Sequence, residues 1–275
     1  MNLAWLEDPS VFNVGQIAPH CFLNRDPKYT ISLDGQWDFQ FMDKEWTTIE
    51  VPGNLQAQGF GYPIYVNDRY EFPKDPPRVP IDTDYGTYKK SFELPKEWQN
   101  RQTIISFGAV KTASFYFIND HFLGYNQDSK TEVEFDLSTF LKEGKNEIRV
   151  HVYRWCDGSY LECQDMWRLS GIEREVELYS LPFKHIRDYR MVTSWSMESK
   201  GGFELQVDAD PELEVNLQII DGIDTIYQGQ INKTLKVEDL DVQHWSHENP
   251  KLYQVIIEAR LGGEVVQTQY AEIGF

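Results

Sequence analysis

The feature that most constrains this chain is an apolar alternation of period two, which returns over most of its length and is interrupted by turn-forming residues. Trp37, Phe39 and Phe41 follow it, as do Tyr88, Phe92 and Leu94, then Ile148, Val150 and Val152, and later Val176 and Leu178. Successive side chains of a strand point to opposite faces, so this spacing predicts strands buried on one side. Ser114 to Ile118 and His121 to Tyr125 flank Asn119-Asp120, two residues that tolerate the positive φ of a two-residue hairpin turn. No long amphipathic helix is evident, and one helical turn at Ser138 to Leu141 is the best candidate. The expected fold class is all-β.

Residues 1–183 hold enough short strands for a jelly-roll sandwich. Past Leu181-Pro182-Phe183-Lys184 the aromatic density falls, and shorter strands are expected at Phe203 to Val207, Leu213 to Ile220, Thr225 to Tyr227 and Val255 to Leu261. Residues 184–275 therefore suit an immunoglobulin-like sandwich, with its last hairpin turn at Leu261 to Glu264. The chain stops at Ile273-Gly274-Phe275 without a polar tail, which predicts a border with a further domain. Between Gly59 and Gly86, Pro63, Pro73, Pro76, Pro77 and Pro80 oppose regular pairing, so an extended surface loop is expected there.

Aromatic residues reach 14%, enough to build real cores, while the net charge is −18. So acidic a chain repels nucleic acid phosphates and anionic lipid, which sets DNA, RNA and membrane surfaces aside as partners. The N-terminus has neither a basic nor an apolar leader segment. Cys21, Cys156 and Cys163 form no Cys-x-x-Cys pair, and together these features predict a cytoplasmic protein.

The densest polar and aromatic cluster runs from Arg154 to Ile172 between two expected strands, where a sandwich presents its binding loops. Carboxylates at Asp157, Glu162 and Asp165, interleaved with Trp155, Tyr160 and Trp167, suit a sugar: the oxygens accept from hydroxyls and the rings lie against C–H faces. The same residues serve equally well as core aromatics and as caps for loop N–H groups. Glu162 and Asp165 are three residues apart, and that spacing does not establish the paired carboxyls of a self-contained retaining glycosidase. His244 and His247 lack a third metal ligand, no phosphate-binding glycine loop or serine elbow occurs, and the Asn232-Lys233-Thr234 triplet has no meaning without secretion.

The ordered run Arg154-Trp155-x-Asp157-Gly158-Ser159-Tyr160-Leu161-Glu162-x-Gln164-Asp165-Met166-Trp167-Arg168-x-Ser170-Gly171-Ile172 closely resembles the bacterial β-galactosidases of glycoside hydrolase family 2. Leu33-Asp34-Gly35-Gln36-Trp37, Val51-Pro52-x-Asn54, Pro63-Ile64-Tyr65-x-Asn67, Gly124-Tyr125-x-Gln127-Asp128-Ser129, Glu134 to Leu137 and Glu248-Asn249-Pro250-x-Leu252-Tyr253 extend the resemblance over nearly the whole chain.

The resemblance implies a sugar-binding jelly roll followed by the family's first immunoglobulin-like domain. The family's catalytic glutamates and magnesium ligands belong to a barrel that this sequence does not contain, so no catalytic residue is carried over. Asn67 is similar to an asparagine lining the galactose site. Asp165 is similar to an aspartate that contacts the sugar 6-hydroxyl and ligates sodium, which makes it both a substrate contact and a metal ligand, in a sodium site left incomplete by these residues alone. Trp5-x-x-x-Pro9 and the run from Asn13 to His20 resemble a segment that supports a subunit interface, which implies a homo-oligomer when joined to the remaining domains. Leu55 after Asn54 and Cys163 beside Gln164 depart from the family pattern. The implied function is that of a non-catalytic part of a β-galactosidase, supplying one wall of the galactose subsite; the alternative is a stand-alone carbohydrate-binding or structural β-sandwich.

Overall fold

The computed structural model describes all residues except 68, 83, 163 and 197–199. Its contacts divide the chain into two compact units, one of Met1–Ile17 and Pro27–Ser180, the other of Ala18–Asp26 and Leu181–Phe275. Residues 18–26, which lie in sequence between two parts of the first unit, thus pack with the second.

The first unit is a sandwich of antiparallel strands. Its larger sheet runs in the order Asn13–Val14, His121–Asn126, Ala113–Ile118, Lys145–Tyr153, Tyr85–Glu93, Gly35–Phe41 and Thr47–Val51. A second sheet carries Val133–Asp136, Gln102–Phe107, Val176–Leu181 and Thr30–Ser32. Alternate residues of both sheets, including Trp37, Phe39, Tyr88, Tyr116, Ile148 and Val150 from one and Ile105, Phe107, Phe135 and Leu178 from the other, meet in one core. Each such side chain contributes about 1.5–3 kcal/mol when fully buried. Asp34 explains its place in the Leu-Asp-Gly-Gln-Trp run: its carboxylate accepts from the Val176 N–H at 2.8 Å, Gly35 adopts φ +97°, and the Trp37 indole donates to the Leu33 carbonyl at 2.8 Å.

The outer face of the larger sheet is covered locally. Leu6, in the 3-10 turn Leu3–Glu7, packs with Phe115, Tyr125, Tyr153 and Cys156, and the Trp5 ring lies 5.6 Å from Tyr125. Gly124 permits the approach of the N-terminal strand, because a Cβ there would sit 2.1 Å from the Val14 carbonyl oxygen.

The hairpin forms as its sequence predicts, with Asn119 at φ 48° and Asp120 at φ 67°. The expected helical turn at Ser138 to Leu141 does not: the Phe140 N–H closes a single turn onto the Leu137 carbonyl at 2.8 Å. The Asp136 carboxylate accepts locally from the Ser138 N–H at 2.8 Å, which favours a turn over a helix, while the Ser138 hydroxyl accepts from the Thr103 N–H at 2.9 Å and ties the turn to that strand. The proline-rich stretch is also less irregular than expected. Ile64–Tyr65 pairs with Trp167–Arg168, joining two loops about one hundred residues apart.

The second unit is the immunoglobulin-like sandwich. One sheet holds Ile186–Trp195, Gly201–Ala209 and Thr234–Leu240; the other holds Asp224–Ile231, Glu214–Asp221, Tyr253–Leu261 and Glu264–Ile273. Phe203, Leu205, Leu217, Ile219, Val255 and Ile257 are among the residues that fill the space between them. Asn24 ties residues 18–26 to the last strand, donating to the Gln269 side chain at 2.6 Å and accepting from the Tyr270 N–H at 2.6 Å. Among the described residues, no helix is long and apolar enough to cross a membrane.

Candidate functional site

Two loops of the first unit build the candidate site on each other. Trp155 and Tyr160 from one, with Ile64 and Val79 from the other, form a small separate core to which Tyr70 and Phe72 add their rings. Tyr160 pins the proline-rich chain through its hydroxyl, which donates to the Arg78 carbonyl at 2.5 Å and accepts from the Asp75 N–H at 3.2 Å. Tyr70 returns the bond, donating to the Tyr160 carbonyl at 2.8 Å. Trp155 therefore serves as core, whereas Trp167 stays 54% exposed; sequence reasoning had left both roles open for each.

Arg154 sits at the centre of this layer. It is 2% exposed and donates to the Asp84 carboxylate at 2.6 Å, the Tyr62 carbonyl at 2.8 Å and the Arg168 carbonyl at 3.2 Å. Its guanidinium lies 5.1 Å from the Trp155 ring, and that of Arg168 lies 4.8 Å from Tyr70. These arginines act as internal struts, fixing the loop carbonyls that hold Trp167–Arg168 beside Ile64–Tyr65.

On the resulting surface Tyr65 and Trp167 meet edge to face at 5.9 Å, both exposed. Asp165 is presented from a turn at φ 54°, a left-handed conformation that Asp accepts more readily than most residues. Its carboxylate is exposed and accepts a hydrogen bond from the Tyr65 hydroxyl, and donating that proton to an anion raises the Tyr65 pKa. Asn67 is exposed two residues beyond Tyr65, on the same segment. The register thus gathers a carboxylate and two aromatic rings on one face, with an amide close by in the chain.

Glu162 has a different environment. It accepts from the Ser129 hydroxyl at 2.8 Å, and desolvation pushes its carboxyl pKa up against the opposing effect of that bond. Glu162 and Asp165 are held by different partners, one inside the loop and one on its surface, so no pair of cooperating carboxyls is formed by shared contacts. Asp157 is likewise raised, chiefly by desolvation. Cys156 is fully buried with its thiol pushed up to about 12, which makes it a packing residue. Cys163 lies outside the described residues. In the second unit the His244 ring lies against Trp195 at 5.1 Å, while His247 is solvent-exposed beside Glu248.

A sodium ion requires several oxygen ligands, and Asp165 offers a carboxylate oxygen of the right hardness. Among the described residues, no group of three or more His, Cys, Asp or Glu side chains gathers to hold a metal. Asp84 and the bonding roles of Tyr65, Tyr160 and Arg154 were not singled out from sequence. Tyr65 and Arg154 stand inside the quoted motifs, but their partners lie in the opposite loop.

Comparison with known proteins matches residues 28–182 to the sugar binding domain of glycosyl hydrolases family 2, and residues 184–275 to a second model of glycosyl hydrolases family 2. A β-galactosidase of Priestia megaterium is 31% identical over 98% of this chain, which covers 31% of that protein. A β-galactosidase of Erwinia tasmaniensis is 36% identical over 88% of the chain and 27% of its own length. The chain therefore spans about a third of the length of the curated relatives it matches. A solved β-glucuronidase from Ruminococcus gnavus, in complex with D-glucaro-δ-lactam, shares the fold with a TM-score of 0.71 at 19% identity, covering 93% of this chain and 47% of that one. With the site's motifs set in the strands and loops that those models describe, the chain belongs to glycoside hydrolase family 2.

Proposed function

We propose that this chain supplies one wall of the galactose subsite of a β-galactosidase whose catalytic carboxylates reside in further domains. The observation that carries this reading is the exposed Asp165 carboxylate, oriented by Tyr65 beside the Trp167 ring. In the proposed role Asp165 accepts from a sugar hydroxyl, Asn67 adds an amide that can donate or accept, and the aromatic faces cover C–H surface. The polar groups fix the orientation of the sugar while the rings exclude water. Asp165 is also proposed as one ligand of a sodium ion, with the other ligands supplied from outside the described residues. Magnesium is assigned to the catalytic barrel alone.

The same reading takes residues 1–183 and 184–275 as the two domains, the second as a spacer, and the complete protein as a cytoplasmic homo-oligomer. Hydrolysis would follow the retaining double displacement of paired carboxyls, neither of which is on this chain. The rival reading is a stand-alone carbohydrate-binding module, favoured by the exposed Tyr65 and Trp167 rings beside a carboxylate.

The test is hydrolysis of a chromogenic β-galactoside by the purified chain, alone and mixed with a separately produced polypeptide carrying the remaining domains. Silence alone and turnover on mixing is the expected result. Turnover alone would return attention to Glu162 and Asp165 as catalytic carboxyls, and silence in both with galactose binding to the chain would favour the module. In the reassembled enzyme, Asp165→Ala should lower kcat/KM about 10- to 100-fold and reduce sodium dependence. Unchanged values would remove Asp165 from the site.

A further inference from the structure

Beneath the exposed face, Lys111, Arg154, Trp155, Ser159, Glu162 and Arg168 enclose a cavity of about 10 Å³. The charge around it is unbalanced. Lys111, Arg154 and Arg168 are 2%, 2% and 4% exposed, so all three cations are removed from water. Arg154 has a counter-charge in Asp84 at 2.6 Å. Among the described residues, neither Lys111 nor Arg168 has a carboxylate at ion-pair distance.

Their hydrogen bonding is incomplete as well. The Lys111 ammonium reaches one acceptor, the Trp167 carbonyl, at a long 3.4 Å. Arg168 donates one Nη1–H to the Ser159 carbonyl at 3.1 Å, and the Nε–H groups of both Arg154 and Arg168 are buried without an acceptor among the described residues. Glu162, the acid on the same wall, accepts from Ser129 and lies beyond ion-pair distance of Lys111; desolvation pushes its carboxyl pKa up, against the opposing effects of the Ser129 bond and of the Lys111 and Lys130 charges. Buried cations with no anion in contact, as at Lys111 and Arg168, carry an electrostatic cost, and buried donors are normally satisfied.

The space admits a single water-sized body and excludes phosphate, sulfate or an organic acid. Water could accept from the donors but would leave the charge uncompensated. We propose that this cavity is a binding site for one monatomic anion, a halide such as chloride, held by the Lys111 ammonium and the guanidinium Nε–H groups of Arg154 and Arg168. The anion fastens the 154–172 loop from behind, and so steadies the segment that presents Asp165 and Trp167. This inference stands whether or not the outer face binds galactose.

The experiment is a crystal structure of the chain grown in sodium bromide, with anomalous data at the bromine edge, paired with thermal melting at one ionic strength in sodium chloride, bromide or gluconate. A bromide peak within hydrogen-bond reach of Lys111 Nζ is expected, with the first unit melting higher in either halide by about 2 °C or more. Lys111→Met should abolish both the peak and the halide increment. Lys130→Met should retain them, since Lys130 is an exposed cation paired with Glu173. If Lys111→Met does not fold, the anomalous map of the unaltered chain decides alone. A water without anomalous signal, or a carboxylate of the chain filling the cavity, overturns the proposal, as does equal melting in chloride and gluconate.

Discussion

The two sandwiches of this chain bury different chemistry. In the first unit Lys111, Glu134, Arg154 and Arg168 are all at most 4% exposed, together with Asn126, Asn146, Ser159 and Ser170. In the second unit, among the described residues, Gln269 is the buried polar side chain, and the ion pairs Arg187–Asp208, Lys236–Glu238 and Lys200–Asp241 lie at the surface. Both have a continuous apolar core between their sheets. The difference shows that strand packing alone suffices for a sandwich. Of the first unit's buried charges, Arg154 and Arg168 hold the loops that carry the candidate site and Lys111 lines the cavity beneath them, while Glu134 accepts from the Tyr179 hydroxyl between strands of the second sheet.

Breaking the strut should produce the largest effect on that contrast. Arg154→Met leaves the Asp84 carboxylate and two loop carbonyls without their donor, and removing one member of a buried ion pair costs about 3–5 kcal/mol. Denaturation followed separately for each unit should show the first transition destabilised by that amount and the second unmoved. Loss of less than 1 kcal/mol would mean that the loops stand without Arg154. The counterpart in the second unit is apolar: Leu217→Ala empties a fully buried site and should cost about 2–5 kcal/mol there, leaving the first transition in place.

The pH dependence sharpens the comparison at an intermediate scale. His151 of the first unit is held at about 4, below its ordinary 6.5, chiefly by desolvation with help from the charges of Arg149 and Lys89. Its imidazole shares a hydrogen bond with the Thr87 hydroxyl at 3.0 Å and meets the Phe117 ring edge to face. The unfolded chain takes up that proton first, so the first unit should lose on the order of 3 kcal/mol as pH falls from about 6.5 towards 4, with no further loss from this residue below that. His185 of the second unit is lowered for the same reason and loses stability in the same direction. Glu162 and Asp157 work oppositely, because their raised carboxyls are relieved as pH falls through the acid range. A His151→Gln variant should flatten the first unit's profile between 6.5 and 4 in pH-dependent melting; an unchanged profile would place the titration elsewhere.

The strands were legible where one face is strongly apolar. Gly35–Phe41 and Lys145–Tyr153 follow their alternation, and the Asn119-Asp120 turn follows from the residues' tolerance of positive φ. Thr47–Val51 and Thr234–Leu240 escaped because edge strands bury few side chains and read as polar. Pairing of Ile64–Tyr65 with Trp167–Arg168 leaves no local pattern, since its register is set by the packing of Trp155, Tyr160, Tyr70 and Phe72 beneath it. For the same reason Asp165 and Asn67 could be named from a motif, while the arginine struts, quoted inside that motif, carried no assigned role. A charged residue announces burial only through its partners, and those partners were distant in sequence.

Tyr65 allows the smallest and most specific test of the difference between scaffold and surface. Its ring contacts Trp167, its backbone pairs with the Trp167 strand, and its hydroxyl donates to Asp165. Tyr65→Phe preserves the first two contacts and deletes the third. Because the side chain is exposed, melting of the first unit should not change, in contrast to Arg154→Met. The freed carboxylate gains rotational freedom, so the entropic cost of orienting it moves to the moment of sugar binding. In the reassembled enzyme this should raise KM for a β-galactoside by no more than about fivefold with kcat little altered, whereas Asp165→Ala should remove the contact itself. Equal losses in the two variants would make the hydroxyl a direct sugar contact, and no change in either would place the sugar away from this face. A drop in the melting temperature of Tyr65→Phe would instead assign Tyr65 to the scaffold, erasing at that position the separation between the buried struts and the surface they support.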